Sequence, residues 1–127
     1  MALIALNLAI FLCSPTIAQT TKPEHIILTF NGDPSTAMSV TWRTSILLTS
    51  PIAQLALATP SSMETKNDQT LHAHMQKVES LEGKNYYYYS VTFEELEPGS
   101  NYRYRVGESE HIMSAWNQFS TVTKDNK

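Results

Sequence analysis

From Pro23 onward apolar residues recur at every second position in short runs, and turn-forming residues interrupt those runs about every ten positions. Residues 25–30 (HIILTF) place Ile26, Leu28 and Phe30 on one face of a predicted strand. Asn31, Gly32, Asp33, Pro34 and Ser35 follow as a dense turn signal. Residues 37–44 (AMSVTWRT) alternate cleanly, with Met38, Val40 and Trp42 facing one way and Ser39, Thr41 and Arg43 the other. β-Branched and aromatic residues at this period fit a strand with one buried face.

Residues 52–58 (IAQLALA), bounded by Pro51 and Pro60, predict another strand, because proline cannot sit inside a central ladder. Residues 61–68 are polar and read as a loop. Residues 70–78 (TLHAHMQKV) predict an edge strand, with a short helix as the alternative reading. In residues 86–93 (YYYYSVTF), Tyr87, Tyr89, Val91 and Phe93 share a face. Residues 94–100 (EELEPGS) form a turn around Pro98 and Gly99. Residues 101–107 (NYRYRVG) turn Tyr102, Tyr104 and Val106 inward and Arg103 and Arg105 outward, and residues 116–123 supply a last strand with Phe119 inward. The total is about seven strands and no amphipathic helix, which predicts an all-β, two-sheet sandwich. Its expected core is Leu28, Phe30, Val40, Trp42, Val91, Phe93, Leu96, Tyr102, Tyr104 and Val106.

The N-terminal stretch changes the picture. Residues 1–12 (MALIALNLAIFL) are nearly continuously apolar, yet too few to cross a bilayer, which takes roughly 20 such residues. Small residues ending at Ala18 supply a cleavage pattern before Gln19, so residues 1–18 are expected to be a secretory signal peptide, although no Lys or Arg precedes the apolar run. A buried N-terminal helix or strand is the alternative. The single cysteine, Cys13, falls inside this leader, so a mature chain holds no disulfide and its fold rests on its core. The expected organisation is leader 1–18, linker 19–23, sandwich 24–123 and tail 124–127, in a secreted or extracytoplasmic protein without stable membrane insertion.

Charge narrows the partners. A formal net charge of −3, with no basic run, argues against nucleic acid and anionic lipid. Only four glycines are present and they are scattered, so no phosphate-cradling loop exists, and no Gly-x-Ser-x-Gly elbow appears. Glu94, Glu95 and Glu97 cluster at a turn, which reads as a solvated surface.

The segment from Leu96 through Pro98, Gly99 and Tyr102 to Val106 resembles the turn and penultimate strand of fibronectin type III domains, and Trp42 matches their central tryptophan. The physical core of that motif is a buried tyrosine whose hydroxyl bonds back across the turn. A narrower resemblance is to the N-terminal domain of purple acid phosphatases. It rests on Pro23 to Phe30, on Met38-Ser39-Val40-Thr41-Trp42-Arg43-Thr44, on Tyr86 to Thr92, on the Leu96–Val106 segment and on Trp116 to Thr121, in that order. This resemblance implies a neighbouring metallophosphoesterase domain in cis, which would supply phosphomonoester hydrolysis at a dinuclear metal centre. The family's Gly-Asp, Gly-Asn-His and Gly-His-x-His metal segments have no counterpart here. Gly32-Asp33 runs into Pro34, and His72-Ala73-His74 is preceded by Leu71.

Two constellations remain as candidate chemistry. His72 and His74 are expected on one face of a strand, but two ligands alone make a poor zinc site, and a pair of solvent-facing histidines is preferred. Tyr86 and Tyr88 point outward, as do Arg103 and Arg105, and the two pairs are expected side by side as an interface for another domain or, alternatively, as a ladder that stiffens the sheet. The functional expectation is a non-enzymatic domain with no catalytic residue, no metal and no cofactor of its own. It would be the accessory domain of a purple acid phosphatase-like protein or, alternatively, a free-standing secreted module that binds a protein or glycan.

Overall fold

The computed structural model describes residues 21–58, 69–109 and 112–124. The predicted leader with Cys13, the polar stretch 61–68 and the last three residues lie outside the described residues. Among the described residues nine strands appear in chain order: β1 (Glu24–Thr29), β2 (Met38–Thr44), β3 (Pro51–Leu57), β4 (Gln69–His72), β5 (His74–Glu79), β6 (Asn85–Phe93), β7 (Asn101–Glu108), β8 (Ile112–Met113) and β9 (Asn117–Ser120). They form two antiparallel sheets. One has the order β1-β2-β6-β5, and the other the order β4-β3-β7-β8 with β9 also paired to β7. The molecule is a β-sandwich.

Alternation decides what lies between the sheets. Val40, Trp42, Tyr89, Val91 and Phe93 point inward from the first sheet, and Ala53, Leu55, Tyr102, Tyr104, Val106 and Phe119 from the second. Trp42 packs on Tyr89 with ring centroids 5.5 Å apart, and Phe119 lies 5.6–6.2 Å from Tyr102, Tyr104 and Phe93. Fully burying side chains of this size is worth roughly 1.5–3 kcal/mol each, so this aromatic layer contributes a large share of the core's stabilisation.

Two expectations change. Phe30 is 69% exposed, because β1 ends at Thr29 opposite Ser39 and the pleat no longer fixes the direction of the next side chain. The segment predicted as one edge strand is two strands, since the chain crosses between sheets at Ala73. His72 pairs with Ile52 of β3 and His74 with Ser90 of β6. The half-buried Ala73 packs against the core and donates its amide to the Pro51 carbonyl at 2.9 Å. This split and the two-residue β8 raise the strand number above the sequence expectation.

The turns use the chemistry their residues offer. The Asp33 carboxylate accepts from the amide and hydroxyl of Ser35 at 2.9 and 2.6 Å, closing the turn before β2. Gly99 adopts φ +60 in the Pro98-Gly99 turn, where a Cβ would come 2.9 Å from the Thr123 side chain.

Candidate interface

The outward positions of the two sheets carry the polar side chains that could engage a partner, and the sandwich separates groups that the sequence suggested would meet. Tyr86 and Tyr88 lie on β6 of the first sheet, whereas Arg103 and Arg105 lie on β7 of the second. The four residues therefore occupy opposite outer faces. Each pair finds a different companion.

On the first face the companion is Arg43 of β2, directly across the ladder from Tyr88. Its guanidinium carbon sits 4.4 Å from the Tyr86 ring centroid, a cation–π contact. Its Nη2 lies 2.9 Å from His25 Nε2 and its Nε 3.6 Å from the Glu24 carboxylate. Arginine only donates, so in this pair the His25 nitrogen is the acceptor. Hydrogen bonding to the Tyr88 side chain raises the already high pKa of Arg43, and Glu24 adds to this, so its charge is fixed at every working pH. The Arg43 charge is thus matched locally. Beside it an open groove of about 770 Å³ is lined by Arg43, Ser45, Leu47, Lys84 and Tyr86 among others. Further along, Ser39, Thr92 and Asn31 form a neutral hydrogen-bonded cluster at 2.7–3.3 Å.

On the second face the companion is Trp116, in the link before β9. The Arg103 and Arg105 guanidinium carbons lie 4.7 and 4.5 Å from its ring centroid. Arg105 Nε donates to Gln54 Oε1 of β3 at 2.6 Å. Sequence reasoning placed Trp116 in the last strand and Arg43 among outward residues without a role. The available signal was the Arg-x-Arg spacing of β7 followed by a lone tryptophan ahead of an alternating run.

His72 and His74 are exposed on different sheets, and among the described residues no three His, Cys, Asp or Glu side chains converge as a ligand group. A dinuclear centre, which needs several converging ligands, does not fit the described residues. Among the described residues no helix is long and apolar enough to cross a membrane.

Comparison with known proteins decides the family. The model of the purple acid phosphatase N-terminal domain matches residues 23–121. The chain belongs to this family. No curated protein gives a significant match. Among solved structures, similarity is found to Astrotactin-2, a conserved vertebrate-specific and perforin-like membrane protein involved in neuronal development, with 16% identity and a TM-score of 0.57 over 84% of this chain. The chain spans only 23% of that structure, and the likeness is one of fold alone. The sensor domain of the anti-sigma factor RsgI4 from Pseudobacteroides cellulosolvens aligns over 84% of this chain and 76% of its own, with 13% identity and a TM-score of 0.46.

Proposed function

We propose that this sandwich is the non-catalytic accessory domain of a secreted phosphomonoesterase, whose dinuclear metal centre belongs to a metallophosphoesterase domain in cis. The family match over residues 23–121 carries this reading. The local chemistry supports it. The one Gly-Asp pair is spent on a turn, where the Asp33 carboxylate is engaged by Ser35. The accessory domain would then contribute a rigid surface that orients its neighbour. Secretion rests on the apolar leader over residues 1–18.

Residues 19–127, purified and supplied with Fe, Zn or Mn, are expected to leave a chromogenic phosphate ester intact. Hydrolysis above a heat-denatured control would overturn the non-catalytic role. Sequencing the transcript beyond the Lys127 codon tests the cis neighbour: an open frame containing Gly-Asp, Gly-Asn-His and Gly-His-x-His segments is expected, and an immediate stop codon counts against it. Recovery of a product beginning at Gln19 from the culture medium tests secretion.

A further inference from the structure

Among the described residues no carboxylate pairs with the arginines on the outer face of the five-stranded sheet. Arg105 has the neutral Gln54 carbonyl as its partner. Arg103 is less satisfied: its Nε and one terminal nitrogen are buried without any hydrogen-bond partner. Among the described residues the one ion pair is Arg43 with Glu24, on the opposite sheet. The nearest acid on β7, Glu108, accepts the amides of Thr49 and Ser50 at 2.6 and 2.9 Å and is thereby engaged. Both guanidiniums lie within 4.7 Å of one indole centroid, so two like charges stand close together on a low-dielectric ring.

Repulsion between the two guanidinium charges persists in the free domain. A carboxylate at the surface offsets that repulsion, and at Arg105, whose Nε is taken by Gln54, the terminal Nη1–Nη2 edge matches it in a bidentate pair. The two arginines are alternate residues of one strand, roughly 6.6–6.8 Å apart along it. Carboxylates at alternate positions of an extended chain repeat at the same spacing. Trp116 holds both side chains and Gln54 holds one, which lowers the entropy lost on binding. Tryptophan and arginine are also the residues that most often carry interface energy. Polyanions such as nucleic acid or an anionic bilayer need many cations, and a chain of net charge −3 presenting two is poorly suited to them.

We propose that Arg103, Arg105 and Trp116 form a docking site for an extended acidic segment of a partner protein, with carboxylates at alternate positions seated on the two guanidiniums. The site is independent of the Tyr86–Arg43 face and of the identity of any neighbouring domain.

The test uses the purified chain and two synthetic probes of identical composition, one with aspartates at alternate positions and one with them adjacent. Calorimetric titration at low salt and at 0.15 M salt reads affinity. The alternating probe is expected to bind at least about fivefold more tightly than its isomer, and more weakly at higher salt. Arg105→Lys, which keeps the charge and removes the terminal fork, should weaken it about tenfold, while Tyr88→Phe on the other face leaves it unchanged. Equal affinity for the two probes, or equal binding of tripolyphosphate, would reduce the face to a general anion attractor and overturn the proposal. So would a wild-type dimer in sedimentation that disperses in Arg105→Lys, because a second copy would then be the occupant. The probe comparison needs no variant, so a misfolded substitution leaves it decisive.

Discussion

The hydroxyl of Tyr102 accepts a hydrogen bond from the backbone amide of Glu97 at 2.8 Å, across the connection that carries the chain from β6 in one sheet to β7 in the other. Thr121 clamps the same turn, donating to the Glu97 carbonyl at 2.6 Å and accepting the Ser100 amide at 2.9 Å. The other connection of this sense, from β2 to β3, is held in the same manner. There the Tyr89 hydroxyl accepts the Leu48 amide at 2.9 Å and lies 3.3 Å from Thr44 Oγ1. Each of these two links between the sheets is therefore tied to a buried tyrosine rooted in the core.

Removing either hydroxyl leaves a backbone amide without its partner while the ring stays packed. Tyr102→Phe and Tyr89→Phe should each cost about 1–2 kcal/mol in urea unfolding. The two act on separate links, so the double variant should add to within about 0.5 kcal/mol. Clear non-additivity would show that the links share one structural unit.

Gly107 lies buried in β7 opposite Met113, and a Cβ there would come 2.0 Å from the Ile112 carbonyl oxygen and 2.9 Å from Met113 Cα. Both obstacles are backbone, so they yield only if β8 moves. Gly107→Ala should destabilise the domain by about 1–3 kcal/mol, with amide exchange rising first at Ile112 and Met113. Wild-type protection at those two amides would contradict this.

Trp42 is fully buried, yet its indole Nε1 has no hydrogen-bond partner. Trp42→Ala should cost about 3–5 kcal/mol, a large part of the stability of a small domain. Trp42→Phe keeps an aromatic ring against Tyr89 and removes the unmet donor, so its cost should be less than half as large. Equal costs in chemical denaturation would mean that a phenyl ring recovers nothing of what the indole contributes.

Two groups tie stability to pH in opposite directions. The hydroxyl of Ser35, and then its amide, hold the Asp33 carboxyl below its ordinary 3.8, so its contribution is present above that value and is lost as pH falls through the lower folded one. Burial pushes the Tyr104 phenol above its ordinary 10.0, so its contribution is present below pH 10 and is lost as pH rises through the higher folded value. Melting temperatures against pH should show both arms, with Asp33→Asn flattening the acid arm and Tyr104→Phe the alkaline one. An unchanged alkaline slope in Tyr104→Phe would remove Tyr104 as its source.

Period-two alternation in the sequence was enough to predict the all-β class and most of the buried face, because pleating sends alternate side chains to opposite sides wherever a strand forms. Trp42, Val91 and Tyr102 could be assigned inward on that ground alone, and the Pro98-Gly99 turn on the backbone needs of its residues. Alternation is a local property, however, and does not say which strand lies beside which. Only the tertiary structure decided that Tyr86 and Arg103 belong to opposite faces, that the chain changes sheets at Ala73 and so parts His72 from His74, and that Trp116 gathers Arg103 and Arg105 while Tyr86 takes Arg43. Those outcomes depend on pairings between residues far apart in the chain, and long-range pairing is set by how the whole apolar surface is buried rather than by any one segment.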